Sequence, residues 1–207
     1  TISSMGGYSQ WLIAHELGHQ WWGNLVTCNS FEHIWLNEGF ARFSEALWEE
    51  EHNGFEAYKS YWVNHAYYGP GTIYVENTSN VNEIFNLNLT YNKAGWVVHM
   101  LRGVMGDSSF FQTLKSYGSN DTLAYNSATT EDFKKVCEAE SGLDLEDFFN
   151  QWIYGSYYPK YGVSWELNED NELIVDIYQQ QSWQYFNMPI PIHVITTQDT
   201  IKLVSVS

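Results

Sequence analysis

Hydrophobic positions recur at helical spacing over most of the first 154 residues and at strand spacing after that. Residues 1–7, with Ser3, Ser4, Gly6 and Gly7, read as a loop. From Tyr8 to Trp22 no proline interrupts, and Gly23-Asn24 supply a helix stop. A second helix is predicted over 31–51, with Phe40, Phe43 and Leu47 as its apolar stripe and Glu49-Glu50-Glu51 as a solvated end. Phe55, Tyr58, Trp62 and His65 mark a third over 54–68, stopped by Gly69-Pro70-Gly71. The Asn-rich stretch 69–90 reads as an irregular connection. A fourth helix begins near Tyr91 and runs to Arg102. Others are predicted over 108–118, 130–141 and 144–154, with Thr129/Asp132 and Asp144/Asp147 as capping pairs.

Near Pro159 the period changes to two. Val163, Trp165 and Leu167 alternate, as do Leu173, Val175 and Ile177, then Ile190, Ile192 and Val194, then Ile201 and Leu203. Turns at 168–171 and at Gln198-Asp199 separate these runs into four antiparallel strands. The chain therefore reads as mainly α with a short antiparallel β segment, divided into residues 1–160 and 161–207.

The first helix carries candidate chemistry. His15 and His19 stand four residues apart, so both imidazoles leave one helix face. That spacing suits two nitrogens on one zinc ion at about 2.0–2.1 Å. Glu16 points roughly 100° away around the helix, where it can reach a water on the metal and act as general base. With 7 His and 17 Glu in 207 residues, chance yields this pattern in roughly two chains per hundred, so alone it decides little. A two-histidine zinc needs a third protein ligand and an open position. Glu38 follows His19 after eighteen intervening residues, room for a loop over 24–30 and an antiparallel return. Seven residues on, Glu45 falls on the same face, where it either fixes a ligand imidazole's tautomer or is an ordinary helix carboxylate. His33, His52, His65 and His193 read as packed or surface residues.

Composition narrows the function classes. Hydrophobic residues make up 44% of the chain and aromatics 17%, which fits a folded core. A net charge of −16 argues against a nucleic-acid partner and against attachment to anionic membranes. No apolar run is long enough to span a membrane. Cys28 and Cys137 either pair or stay as two buried thiols; their spacing leaves both open. Sequons at Asn77, Asn88 and Asn120 carry meaning only in a secreted eukaryotic protein. The compartment is undecided, leaning to a secreted or periplasmic one.

His15-Glu-Leu-Gly-His-Gln-Trp-Trp-Gly-Asn24, the eighteen-residue gap and Asn37-Glu-Gly-Phe-Ala41 together resemble the gluzincin zinc aminopeptidases, the family of aminopeptidase N and the leukotriene hydrolases. The resemblance covers roughly residues 8–160. It implies the helical lobe of a thermolysin-like zinc peptidase domain, with one Zn²⁺ on His15, His19 and Glu38 and with Glu16 and Tyr91 as catalytic residues. Tyr91 matches the tyrosine of the family's Tyr-x-Lys-Gly-Ala segment, which donates to the oxyanion. Here Lys93-Ala94-Gly95 reverses the usual glycine–alanine order. The implied substrate is a peptide with a free N-terminus. An endopeptidase or lipid-epoxide hydrolase on the same site, and a non-catalytic scaffold, are the competing readings. The family's Gly-x-Met-Glu anchor for the substrate amine lies upstream of the zinc helix and does not occur here. The expectation is a catalytic-domain fragment whose activity depends on its N-terminal domain, followed by the start of a β-sandwich.

Overall fold

The computed structural model describes residues 9–197 and 200–205. The expected loop over 1–7, the helix start at Tyr8 and the turn at Gln198-Asp199 lie outside these residues. Helices dominate up to Tyr154, in the order α1 (Gln10–Gly18), β1 (Val26–Cys28), α2 (Trp35–Asn53), α3 (Phe55–Asn64), α4 (Val81–Ile84), α5 (Ala94–Met105), α6 (Asp107–Ser119), β2 (Asn126–Ala128), α7 (Thr130–Ser141) and α8 (Glu146–Phe149). Four strands follow: β3 (Tyr161–Leu167), β4 (Leu173–Gln179), β5 (Ile190–Ile195) and β6 (Thr200–Ser205). The mainly helical lobe with an antiparallel β tail is as the periodicity predicts.

The core forms around α2. Its Leu36, Phe40, Phe43 and Ala46 are buried together with Tyr58 and Trp62 of α3, Val97, Val98 and Leu101 of α5, Phe110 of α6 and Phe133 of α7. Aromatic edges fill this space, as where Phe40 meets Phe133 with ring centroids 5.1 Å apart. Helix α1 lies antiparallel on α2: Trp11 Nε1 donates to Glu49 near one end, and His19 reaches Glu38 near the other. Gly18 permits the close approach, because a Cβ there would stand 2.7 Å from Ser44 Oγ and 3.3 Å from Ala41 Cα.

Several predicted boundaries move. The first helix ends at Gly18 rather than Trp22 and closes in turns. His19 keeps helical angles (φ −64°, ψ −15°) and bonds back to the His15 carbonyl, so the four-residue relation survives. The loop predicted over 24–30 holds β1, which pairs in parallel with β2 through Val26↔Asn126, Thr27↔Ser127 and Cys28↔Ala128. Two three-residue strands are too short to show a period. The third helix stops at Asn64 instead of residue 68. The Asn-rich connection is partly ordered by its own side chains: Asn80 caps α4, and Asn86 accepts from the amides of Asn88 and Leu89. Asn86 thereby opens a wide π-turn, Leu87–Lys93, that carries Tyr91 into α5.

The Thr129/Asp132 capping box is present, whereas Asp144/Asp147 is not one. Leu145 occupies the cap position of α8, Asp144 accepts from the Glu146 amide, and Asp147 bonds Asn187. Residues 150–154 continue as a π-turn. Both cysteines are free thiols.

The tail forms two separate hairpins, β3–β4 and β5–β6. Val163, Trp165 and Leu167 pair with Ile177, Val175 and Leu173 on one face. Their exposures of 62%, 71% and 60% leave that face open to solvent. No helix among the described residues is long and apolar enough to cross a membrane.

Candidate metal centre

The α1–α2 contact brings the histidine pair to the start of α2. Glu38 Oε2 lies 3.3 Å from His15 Nε2 and 3.3 Å from His19 Nε2. One ligand atom from each of the three side chains fits within a mutual 4.8 Å. Donors held at about 2.0–2.2 Å from a shared tetrahedral ion stand about 3.3–3.5 Å apart, so both carboxylate–imidazole separations match the edges of such a polyhedron. Two neutral imidazoles and one carboxylate form a borderline N/O donor set suited to zinc, and three protein donors leave one corner of a tetrahedron to another ligand. The residues therefore fit a divalent metal. Among the described residues this is the one His/Cys/Asp/Glu cluster of that kind. His33, His52 and His65 bond Thr130, the Trp48 carbonyl and the Tyr61 carbonyl respectively, and His193 is exposed.

The outer nitrogen of each imidazole is also held. His15 Nδ1 meets Glu45 Oε1 at 2.9 Å, and His19 Nδ1 meets the Trp22 carbonyl at 3.1 Å. Both contacts leave Nε2 facing Glu38 and fix ring orientation. Glu45 collects further donors: Tyr61 O–H donates at 2.8 Å, and Arg42 Nη1 lies 3.1 Å from each carboxylate oxygen. Asn37 Oδ1 accepts from the Cys28 amide at 3.0 Å, which ties β1 to the turn of α2 that bears Glu38.

The local field favours positive charge. Burial opposes ionisation of Glu38, but hydrogen bonds and charge from His15 and His19 prevail and hold it down at about 2. Burial likewise works against protonation of His15. Bonds and charge from Glu38 and Glu45 overcome it and raise the imidazole to about 9. Glu45 is also lowered despite its burial, by the His15 bond, the Arg42 charge and the Tyr61 hydroxyl. Two ionised carboxylates thus flank the imidazoles, an environment that stabilises a cation among the Nε2 atoms.

Tyr91 stacks on His15 with ring centroids 5.9 Å apart and planes 22° from parallel. Its phenol is pushed up first by burial, then by the charge and hydrogen bond of Glu38 and the charge of Glu16. Tyr91 is thus kept protonated beside both carboxylates. Glu16 is half-buried and within electrostatic reach of Tyr91. The structure therefore brings together His15, His19, Glu38, Glu45 and Tyr91 of the residues singled out by sequence, with Glu16 near enough for its charge to act on Tyr91. Sequence reading missed Arg42, Tyr61 and Asn92. For Arg42 a signal existed: Glu38, Arg42 and Glu45 repeat at i, i+4 and i+7 along α2.

A family model for the peptidase family M1 domain matches residues 4–152. The chain belongs to peptidase family M1. Among curated relatives, this M1 chain is 35% identical over 162 residues to aminopeptidase M1-B of Oryza sativa subsp. japonica, covering 71% of the chain and 18% of that protein. It is 31% identical over 175 residues to aminopeptidase N of Lactococcus lactis subsp. lactis, covering 79% of the chain and 20% of that protein. The M1 chain thus spans about a fifth of the length of these relatives. Of solved structures, the M1 zinc metallopeptidase from Deinococcus radiodurans superposes with a TM-score of 0.61 at 27% identity, over 72% of this chain and 34% of that one. Legionella pneumophila aminopeptidase A, solved with aspartic acid, shares the fold with a TM-score of 0.77 at 22% identity, over 94% of this chain and 24% of that one.

Proposed function

We propose that this chain is the metal-binding part of a zinc aminopeptidase, one that hydrolyses the first peptide bond of substrates with a free N-terminus. The observation that carries the reading is Glu38 Oε2 standing 3.3 Å from both His15 Nε2 and His19 Nε2 in a chain of the M1 family. Its relatives bear aminopeptidase names, and a solved neighbour is a zinc metallopeptidase. We place the peptidase-domain boundary near residue 160, where the family match has ended and β3 begins. The remainder of the polypeptide is the expected partner, supplying the group that holds the substrate amine.

His15, His19 and Glu38 hold one zinc ion in this reading. Bound there, it supplies Lewis acidity toward water and toward a peptide carbonyl. Glu16 accepts the proton of the attacking water and passes it to the leaving amine. The Tyr91 phenol, kept protonated by its surroundings, donates to the developing oxyanion. Glu45 and the Trp22 carbonyl keep the two imidazoles turned inward throughout.

The test uses the full-length protein. Glu16→Gln should keep its zinc, measured by metal analysis, and lose nearly all turnover of a free-amine peptide; retained turnover removes Glu16 from the mechanism. Tyr91→Phe should lower kcat by about 10²–10³ with little change in KM. N-blocked peptides should be inert, and hydrolysis of them at equal rate would make the enzyme an endopeptidase.

A further inference from the structure

Arg42 touches two parts of the site that approach it from different elements. On α2 it stands one turn after Glu38 and three residues before Glu45. Its Nη1 lies 3.1 Å from both oxygens of Glu45, the carboxylate that holds His15. Its Nη2 donates at 2.8 Å to Asn92 Oδ1. Asn92 is the neighbour of Tyr91 in the π-turn Leu87–Lys93. One planar guanidinium therefore spans from the histidine side of the centre to the segment that presents the tyrosine, a task its rigid fork suits better than an ammonium.

Two details set this arginine apart from an ordinary surface ion pair. The side chain is 15% exposed, that of Glu45 5%, and its Nε is buried without a hydrogen-bond partner. Space is also reserved for it. A Cβ on Gly95 would stand 2.9 Å from Arg42 Cγ and 3.1 Å from Trp62 Cη2. The Ala94-Gly95 order thus puts the smallest residue where the arginine stem passes between α2 and α5.

Resting on the aminopeptidase reading, we propose that Arg42 is a positioning residue: it orients Glu45 on His15 with one nitrogen, and through Asn92 it sets the Tyr91 phenol with another. The two arms separate experimentally. Removing the Glu45 arm loosens the support of a metal ligand. Removing the Asn92 arm displaces Tyr91 and leaves the ligands alone.

The full-length protein, with Arg42→Met, Arg42→Lys and Asn92→Ala variants, tests this by zinc competition against a chelating dye and by steady-state kinetics on an aminoacyl anilide. Arg42→Met should weaken zinc by roughly tenfold, the scale of lost outer support at a metal ligand, and Arg42→Lys should recover part of it. Asn92→Ala should bind zinc within about twofold of the parent while kcat falls about tenfold at nearly constant KM. In a Tyr91→Phe background, Asn92→Ala should cost nothing more. Unchanged zinc affinity in Arg42→Met, or losses of Asn92→Ala and Tyr91→Phe that multiply, overturns the proposal. Should the parent bind zinc yet hydrolyse no peptide, the aminopeptidase reading fails and the zinc comparison alone judges Arg42. A parent that binds no zinc sinks both.

Discussion

His99 shows how a single half-buried side chain makes the fold sensitive to acid. Its Nδ1 lies 2.7 Å from the Tyr58 hydroxyl, and its ring stacks on Trp62 at 5.3 Å. Burial, then the charge of Arg102, hold it down at about 4, with Glu50 opposing weakly. The folded state therefore binds fewer protons than the unfolded chain between about pH 6.5 and 4. Stability from this residue is complete above 6.5 and falls as pH drops through that window, by up to about 3 kcal/mol at about 1.36 kcal/mol per unit. Urea unfolding at pH 7 and at pH 4.5 should show this loss in the parent and a smaller one in His99→Gln. Equal pH dependence in the two proteins would assign the acid sensitivity elsewhere. Arg42 illustrates why residue-scale roles were only partly legible. On a helix face an arginine reads as a solvated charge, and its meeting with Asn92, fifty residues away, is a product of tertiary packing.

At the level of elements, what the sequence disclosed depended on length and on local chemistry. Helix α7 was legible to the residue because Thr129 and Asp132 bond each other's backbone, a purely local device. The same inference failed at Asp144, where Leu145 took the cap position and Asp147 was drawn to Asn187 across forty residues. Strands β1 and β2 were invisible because each is stabilised by a partner about a hundred positions away. The π-turn before α5 hides too, since a seven-residue widening blurs the 3.6 period without erasing it. The α1–α2 pair was legible because the spacing of its histidines and carboxylate is itself a geometric statement. Its closeness rests on Gly18, and Gly18→Val should push α1 off Ser44 and Ala41. Overpacking of this kind costs about 1–3 kcal/mol. Thermal melting should register that loss, with zinc affinity falling alongside as His15 and His19 retreat from Glu38. A variant that binds zinc as tightly as the parent would show that the helix contact tolerates a wider spacing.

For the whole molecule, the helical lobe and the β tail differ in how their apolar residues are used. In the lobe, aromatic side chains from five helices close on one another around α2. In the tail, sequence alternation named the right residues, and Val163, Trp165 and Leu167 do share a face, yet that face meets water. A flat, greasy ribbon in solvent is a template for self-association. Handled as an isolated 207-residue polypeptide, the chain should therefore form soluble aggregates whose size grows with concentration and with added sulfate. Trp165→Lys should restore a single scattering species while leaving the far-UV helical signal intact. If light scattering stays the same after that change, the stickiness comes from another surface. The open hairpin thus sets a handling rule for biochemistry on this chain: colloidal behaviour has to be controlled before any weak turnover is ascribed to the proposed zinc centre.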